Sequence, residues 1–279
     1  SLYHELTVSE FPGEGFEIRL SGEGVDTLPR DQANLVYGTM CHAFEAAGYR
    51  PGRLAIDSRS EIPLARGLGS SAAAALAGLA AGFALAGGGG DRPALLDMAM
   101  GMEGHADNAA PCLYGGFTLA LRCADGVHCV RLDAPAGLVA VVAIPDFALS
   151  THRAREVLPR TVTLEDAVCN QARLAMLVAA MATGQVALLG EAMVDRLHQP
   201  YRAPLVPGFE AVCAAATEAG ALGVALSGSG PTVIALTRDG HGPVAEAMRD
   251  SWSREGVRAR VQRLDVDSHG LRVEHLTGE

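Results

Sequence analysis

Residues 63–73 read Pro63-Leu64-Ala65-Arg66-Gly67-Leu68-Gly69-Ser70-Ser71-Ala72-Ala73. The glycines allow the backbone to pass close to a bulky group, and the small residues that follow begin an alanine-rich helix. The first N–H groups of a helix have no partner within it, and together with the helix dipole they attract an anion. The two serines add hydroxyls for a phosphate oxygen or for Mg²⁺. A shorter pattern would indicate only a glycine turn with a serine N-cap, but the whole stretch favours a phosphate site.

All 22 basic residues of the chain are arginines, and the sequence contains no lysine. This excludes a Schiff-base lysine, a Walker A loop and the strand lysine of protein kinases. A GC-rich genome is a sufficient cause of the bias, but the chemical exclusion holds in either case. A phosphate site in this chain must therefore use arginine, a metal ion or backbone amides.

The composition is that of a globular chain with a formal net charge of −10, 49% hydrophobic and 19% charged residues. The negative charge argues against a nucleic-acid partner and against an anionic-membrane partner. Residues 72–86, the longest apolar run, are too short and too rich in alanine to span a membrane. The six cysteines form no C-x-x-C pair, so no zinc site is expected. We predict a cytoplasmic protein with reduced thiols.

The hydrophobic periodicity predicts clustered strands with helices between them, an α+β fold. Beyond the alanine-rich helix, helices are predicted at residues 34–47, 93–102, 153–158, 164–183, 186–197, 209–219 and 243–255. Strands are predicted at residues 2–8, 16–20, 54–57, 117–122, 127–132, 138–144, 223–226, 232–236 and 258–264. A boundary near Pro135-Ala136-Gly137 predicts two domains, residues 1–135 and 136–279.

A second polar segment reads Glu103-Gly104-His105-Ala106-Asp107-Asn108. Glu103 ends a predicted helix, where a negative charge opposes the helix dipole. A carboxylate placed against that cost favours a role such as holding Mg²⁺. The alternative is a polar loop in which Asp107 and Asn108 form an Asx-type turn.

These segments resemble the homoserine kinases of the GHMP kinase superfamily, which also includes galactokinase, mevalonate kinase and phosphomevalonate kinase. Residues 63–73 resemble the superfamily's phosphate motif, and Leu226-Ser227-Gly228-Ser229-Gly230-Pro231-Thr232 resembles its C-terminal glycine motif. The homoserine kinase branch is indicated by residues 103–108 with Ala109-Ala110-Pro111 and Gly115-Gly116-Phe117, by Ser150-Thr151-His152-Arg153-Ala154-Arg155, and by His198-Gln199-Pro200-Tyr201-Arg202. The resemblance implies a two-domain GHMP kinase fold, with an N-terminal ribosomal-protein-S5-like domain and a C-terminal ferredoxin-like α/β sandwich.

The resemblance further implies ATP-dependent phosphorylation of L-homoserine to O-phospho-L-homoserine in threonine biosynthesis. ATP would be bound by Pro63, Arg66, Gly67, Leu68, Gly69, Ser70, Ser71, Ala72, Ala73, Gly228, Ser229 and Gly230. Mg²⁺ would be held by Ser71 and Glu103. Homoserine would be bound by His105, Asp107, Asn108, Thr151, Arg155 and Arg202, the two arginines clamping its carboxylate as planar guanidinium groups can.

For the reaction itself, Asn108 would orient the substrate hydroxyl, and Asp107 and His105 are candidates for a base. The glycine turn at residues 228–230 would also pack against the phosphate loop. For Arg155 and Arg202 the alternative is a solvated helix face, the commoner position of an arginine.

Two other functions stay open from the sequence. One is a GHMP-type kinase for another small alcohol, and the other is a non-catalytic nucleotide- or amino-acid-binding relic. The resemblance is also compatible with a homodimer. The family's usual opening motif, P-A-T-S-A-N-L-G-P-G-F-D, has no match, and Ser1-Leu2-Tyr3-His4-Glu5 resembles the strand that follows it. We therefore expect a chain truncated at its N-terminus, with an incomplete homoserine pocket and weak or no activity.

Overall fold

The computed structural model describes residues 2–88 and 90–276 of the chain. Helices and strands alternate in clusters within them, as the α+β prediction requires. The predicted domain limits, residues 1–135 and 136–279, stay a prediction. Residues 1, 89 and 277–279 of those predicted domains lie outside the described residues.

The described chain forms two compact units, and neither is a single continuous segment. The amino-terminal unit contains Leu2–Leu64, Gly69–Arg131 and residues 267–276. The carboxy-terminal unit contains Ala65–Leu68 and Leu132–Val266. The phosphate motif is thus divided, because Ala65–Leu68 belong to the carboxy-terminal unit and the rest of residues 63–73 to the amino-terminal unit.

Both units mix helices with strands. The elements of the first part of the chain are β1 (His4–Phe11), β2 (Phe16–Gly22), α1 (Leu35–Ala47), β3 (Arg53–Ser60), α2 (Ser70–Leu85), α3 (Arg92–Glu103), α4 (Ala109–Tyr114), β4 (Phe117–Cys123) and β5 (Gly126–Leu132). Those that follow are β6 (Val139–Pro145), α5 (Thr151–Glu156), α6 (Leu164–Thr183), α7 (Leu189–Ala192), α8 (Gln199–Arg202), α9 (Phe209–Glu218), β7 (Gly223–Leu226), β8 (Val233–Thr237), α10 (His241–Arg254) and β9 (Ala259–Asp265). Short 3₁₀ helices lie at Val186–Leu188 and Ala203–Leu205. No helix in the described part of the chain is long and apolar enough to cross a membrane.

The sheet of the amino-terminal unit has the strand order β1-β3-β2. β1 is antiparallel to β3, with His4 opposite Ser60, and β2 is parallel to β3, with Phe16 opposite Leu54. Burial alternates along β3, so that Leu54 and Ile56 face inward. They share a core cluster with α1.

α1 and α2 pack closely because two glycines of α2 face α1. A Cβ atom on Gly78 would lie 2.0 Å from Thr39 Oγ1 and 2.4 Å from the Val36 carbonyl oxygen. A Cβ atom on Gly82 would lie 2.7 Å from the Cβ of Ala43. Only glycine leaves room for the two backbones at this separation. The contact orients α2, whose amino terminus carries part of the phosphate motif.

A C-terminal segment, residues 267–271, completes the amino-terminal unit. The Gly116 N–H donates a hydrogen bond to the Asp267 carbonyl oxygen at 2.7 Å, and the Leu271 N–H donates one to the Leu113 carbonyl oxygen at 3.2 Å. Arg92 donates hydrogen bonds to the carbonyl oxygens of His269 and Leu271. The segment is therefore held against the end of α4 through backbone groups.

The carboxy-terminal unit has an antiparallel sheet in the order β7-β8-β6-β9. The chain order strand, helices, strand, strand, helix, strand matches the β-α-β-β-α-β pattern of ferredoxin-like folds. The predicted ferredoxin-like sandwich is therefore confirmed. Its core contains Trp252, a fully buried residue of α10 whose indole N–H donates to the Pro207 carbonyl oxygen at 2.9 Å.

The prediction of one helix over residues 186–197 is wrong. The segment forms the 3₁₀ helix Val186–Leu188, then the short α7, and then an irregular stretch to residue 198. The carboxylate of Asp195 accepts the N–H groups of Leu197, His198 and Gln199. These N–H groups bond to a side chain rather than to carbonyl groups one turn back, which ends one helix and begins another. The two short helices α4 and α8 were not predicted.

Candidate active site

The amino terminus of α2 has no side-chain cap. Gly69 occupies the N-cap position with a φ of +74°, and Ser70 begins the helix. The Gly69 carbonyl oxygen accepts the N–H of Ala73 at 3.0 Å, so the N–H groups of residues 70–72 precede the regular helical bonds. Ser71 is exposed and Ser70 is half-buried. The first turn thus offers N–H groups and two hydroxyls to an anion.

Gly69 lies beside Asn108. A Cβ atom on Gly69 would come within 3.3 Å of Asn108 Oδ1. The structure therefore brings together a residue predicted to wrap the phosphates and the residue predicted to orient the substrate hydroxyl. Ala72 and Ala73 are buried and anchor the start of α2 in the core.

In the carboxy-terminal unit, Gly67 packs against the glycine turn. Ser227 Oγ donates a hydrogen bond to the Gly67 carbonyl oxygen at 2.8 Å. Gly67 has a φ of +73°, and a Cβ atom there would lie 2.1 Å from the Ser227 carbonyl oxygen and 2.8 Å from that of Gly230. The approach is less close at Gly228, where a Cβ atom would lie 3.3 Å from the Gly67 carbonyl oxygen. The predicted packing of the glycine turn on the phosphate loop is confirmed.

Arg66 binds the backbone that follows β6. Its Nε donates to the Pro145 carbonyl oxygen at 2.9 Å, and a terminal nitrogen donates to the Asp146 carbonyl oxygen at 2.8 Å. Of the other nucleotide-binding predictions, Pro63 is buried and Leu68 half-buried. The contribution of these three residues to nucleotide binding stays a prediction.

Glu103, the last residue of α3, has a buried carboxylate oxygen without a hydrogen-bond partner. Within the described residues, nothing donates to its Oε1. A buried carboxylate oxygen left unpaired is costly unless something binds it. Burial, with the charges of Asp267 and Glu103 nearby, raises the pKa of the Cys112 thiol to about 11. The buried and unpaired Oε1 of Glu103 is a suitable ligand for a hard divalent cation.

The loop between α3 and α4 is ordered around Asp107. His105 Nδ1 and Asp107 Oδ1 lie 2.5 Å apart, within hydrogen-bond distance. The same oxygen accepts the Asn108 N–H at 2.9 Å and the Asn108 side-chain amide at 3.4 Å. These bonds join adjacent residues, whereas an Asx turn joins the side chain to the N–H two residues on, so the Asx-type alternative stays a prediction.

The predicted carboxylate-binding residues lie on two short helices of the carboxy-terminal unit. Arg202 ends α8, where its Nε donates to the Ala154 carbonyl oxygen at 3.1 Å and a terminal nitrogen donates to the Gly228 carbonyl oxygen at 3.2 Å. Arg155 is exposed in the last turn of α5. Thr151 begins α5, and its Oγ1 lies 3.5 Å from Ser229 Oγ. Arg202 and Thr151 thus both contact the glycine turn.

The sequence did not indicate Asp195, which holds α8. Its Oδ2 accepts the N–H groups of His198 at 2.6 Å and Gln199 at 2.5 Å. Its Oδ1 accepts the Leu197 N–H at 3.1 Å and the Asn170 side-chain amide at 2.7 Å. Burial alone would raise the pKa of Asp195, but these donors, Gln199 and Asn170 foremost, hold the pKa below its ordinary value. The usual N-cap signal would not have identified it, because the N-cap position of α8 is His198.

One more group of possible ligands lies on the β4–β5 hairpin. The side-chain donors of Cys123, Asp125 and His128 lie within 4.8 Å of one another. His128 Nε2 and Asp125 Oδ1 are 2.9 Å apart, and this contact lowers the pKa of Asp125. These three side chains are exposed or half-exposed, whereas the Oε1 atom of Glu103 is buried.

Comparison with known proteins identifies the family. Residues 34–116 match the model described as GHMP kinases N terminal domain, and residues 177–257 match the model described as GHMP kinases C terminal. A protein named homoserine kinase from Moorella thermoacetica is 47% identical over 273 residues, covering 98% of this chain and 92% of that protein. The chain belongs to the homoserine kinase family of GHMP kinases.

Solved structures agree with this assignment to the homoserine kinase family. A crystal structure of homoserine kinase from Cytophaga hutchinsonii has a TM-score of 0.84 and 34% identity, and the match covers 95% of this chain and 86% of that one. A mevalonate kinase from L. major, solved in complex with R-mevalonate, has a TM-score of 0.70 at 14% identity, covering 96% and 87%. At that identity the second match shows a shared fold alone. The predicted two-domain GHMP kinase fold is confirmed.

Proposed function

We propose that the chain transfers the γ-phosphoryl group of ATP to the γ-hydroxyl of L-homoserine, giving O-phospho-L-homoserine and ADP. The observation that carries this proposal is the 47% identity, over nearly the whole chain, to a protein named homoserine kinase. The product is an intermediate of threonine biosynthesis, as the resemblance implied. The cytoplasmic location, the homodimer and the absence of nucleic-acid and membrane partners stay predictions.

Magnesium is assigned to Glu103 and Ser71. The buried Glu103 Oε1, which lacks a hydrogen-bond partner within the described residues, supports this assignment. Carboxylate and hydroxyl oxygens are the ligands that Mg²⁺ accepts in phosphoryl-transfer sites. When bound with ATP, the ion neutralises charge on the phosphate oxygens.

The ATP phosphates are assigned to the first turn of α2 and to the glycine segments. The N–H groups of residues 70–72 and the Ser70 hydroxyl supply donors without any lysine. The close contact of Gly67 with the Ser227–Gly230 turn supports a role in shaping the loop. Positioning of this kind supplies most of the acceleration in phosphoryl transfer.

Homoserine is assigned to the polar residues that the resemblance identified. Arg155 and Arg202 bind its carboxylate, Thr151 contacts the amino acid, and His105 and Asp107 line the pocket. Asn108 orients the γ-hydroxyl, which attacks the γ-phosphorus in line as the bond to ADP breaks, and the hydroxyl proton passes to an oxygen of the transferred phosphoryl group. Because Asp107 Oδ1 already lies within hydrogen-bond distance of three donors or ring nitrogens, we assign it to ordering the loop rather than to removing the hydroxyl proton.

The test is ADP release with L-homoserine, mevalonate and galactose as alternative acceptors. L-Homoserine is expected to have the highest kcat/KM of the three. Glu103→Gln is expected to lower kcat by about 10²-fold or more, because a charged ligand of the metal is lost. Glu246→Gln, at an exposed carboxylate of α10, is the matched control and should match the parent chain.

Other results would contradict the proposal. A preference for mevalonate or galactose would instead indicate a GHMP-type kinase for another alcohol. ATP binding without ADP release, for all three acceptors, would indicate a non-catalytic relic. Equal activity of Glu103→Gln and Glu246→Gln would remove Glu103 from the metal site.

A further inference from the structure

We propose that Asp195 is a positioning residue for Arg202 and so sets how tightly the enzyme binds the carboxylate of its substrate. This inference rests on the proposed function, in which Arg202 contacts that carboxylate. Asp195 itself does not contact the substrate. It acts through α8, the short helix that carries Arg202 at its end.

α8 is too short to be a stable helix without outside contacts. It has four residues, and a single helical turn is unstable in isolation because its nucleation cost exceeds the gain from one or two hydrogen bonds. Asp195 supplies what is missing by accepting the N–H groups of His198 and Gln199 at the start of the turn. The amide of Asn170, which belongs to the long helix α6, holds the carboxylate in place at 2.7 Å.

Both ends of α8 are also tied to neighbouring segments of the carboxy-terminal unit. Gln199 Oε1 accepts the Leu226 N–H at 2.8 Å, at the end of β7. Arg202 donates to the carbonyl oxygens of Ala154 and Gly228. The start of α8 is held by Asp195 and by the Gln199–Leu226 bond, and its end is held by the two bonds of Arg202. This leaves the Arg202 guanidinium a narrow range of orientations.

The carboxylate of Asp195 is satisfied by amide groups. Within the described residues, every hydrogen bond that Asp195 accepts comes from an amide, and none comes from a guanidinium. Asp195 therefore determines the position of Arg202 without forming an ion pair with it. Asp195 thus acts on Arg202 through the position of α8 and not through its charge.

The test compares two alcohols that differ only in the carboxylate, L-homoserine and 3-amino-1-propanol. For Asp195→Asn, kcat/KM for L-homoserine is expected to fall about tenfold, mainly through KM, while the KM for ATP stays the same. The kcat/KM for 3-amino-1-propanol is expected to be unchanged within about twofold. Damage to the fold alone would lower both values together.

Three further variants make the test decisive. Asp250→Asn, at an exposed aspartate of α10, is the matched control and should leave both alcohols unaffected. Asn170→Ala removes one donor to Asp195, so it should lower kcat/KM for L-homoserine alone, to a smaller extent. If Asp195→Asn does not fold, this variant tests the positioning role in its place. In an Arg202→Lys background, Asp195→Asn should lower kcat/KM for L-homoserine little further, because the effects of residues that act as a unit are not additive.

The outcomes separate this inference from the proposed function. If the parent chain does not phosphorylate L-homoserine, the proposed function itself fails. If the parent chain does so but Asp195→Asn and Asn170→Ala lower both alcohols equally, only the positioning role is overturned. Full additivity of Asp195→Asn with Arg202→Lys would overturn it as well.

Discussion

At Gly67, the missing side chain is what allows two loops to meet. Its positive φ and the 2.1 Å distance from a hypothetical Cβ to the Ser227 carbonyl oxygen mean that alanine fits neither the conformation nor the space. We expect Gly67→Ala to lower the free energy of unfolding by about 2–4 kcal/mol, the sum of left-handed strain and overpacking. Urea unfolding measures this change. Gly242→Ala, in open space on α10, is the control and should change stability little.

Asp107 illustrates how hydrogen bonding distinguishes two roles for one carboxylate. If Asp107 orders the loop, Asp107→Asn keeps a carbonyl oxygen for the Asn108 N–H and should lower kcat by about tenfold at most. A general base would lose far more, about 10²–10⁴-fold. Steady-state kinetics with L-homoserine measure the difference. A fall of several orders with unchanged KM would return the base role to Asp107.

At the scale of elements, the α1–α2 contact depends on glycine. We expect Gly78→Ala to destabilise the chain by about 1–3 kcal/mol, because the new methyl group would meet Thr39 and the Val36 carbonyl. Gly38→Ala, in the open on α1, is the matched control and should stabilise by about 0.5–1 kcal/mol through helix propensity. Thermal unfolding of both variants measures whether each substitution lowers or raises the stability. Similar effects of the two substitutions would show that the helix contact is loose.

Elements with strong periodicity were predictable from the sequence. α6 begins and ends at the predicted residues 164 and 183, and β7 at the predicted residues 223 and 226. The structure of residues 186–197 could not be predicted in this way. They have the composition of a helix, but the Asp195 carboxylate accepts N–H groups that a helix would bond to carbonyl oxygens. Local sequence carries propensity, whereas the partner that holds Asp195 in place, Asn170, lies 25 residues away in the chain.

The candidate site, like the secondary structure, was predictable from the sequence only where its residues lie close together in the chain. Gly67 and Glu103 stand in short continuous segments, so the resemblance identified them by type and spacing. The network that orients Arg202 joins α6, α8 and β7, which are distant in sequence. Its members could be found only once the fold had brought them together.

At the scale of the whole molecule, the segment of residues 267–271 makes the stability of the fold depend on pH. Burial alone would raise the pKa of Asp267, but the N–H groups of His269 and Gly270, with the Tyr3 hydroxyl, hold the pKa below its ordinary value. A lowered folded-state pKa contributes stability above the unfolded value of about 3.9, and this stability is lost as the pH falls through the folded value. The stabilising effect of Asp267 is therefore present at neutral pH.

We expect Asp267→Asn to be less stable than the parent chain by about 1–3 kcal/mol at pH 7. The difference should narrow as the pH falls below about 4, because the parent carboxylate becomes protonated there. Urea unfolding as a function of pH measures both parts. A difference that stays constant from pH 7 to pH 3 would show that the Asp267 charge contributes nothing.

The position of residues 267–271 also has a consequence for synthesis on the ribosome. The amino-terminal unit needs this segment against α4, but the ribosome makes residues 132–266 first. At about 5–20 residues per second, the emerging unit waits roughly 7–27 s before residues 267–271 are made. During that time the backbone groups of Leu113 and Gly116 have only water as a partner, so a nascent chain stalled before residue 267 should be open to proteases where the released chain is protected.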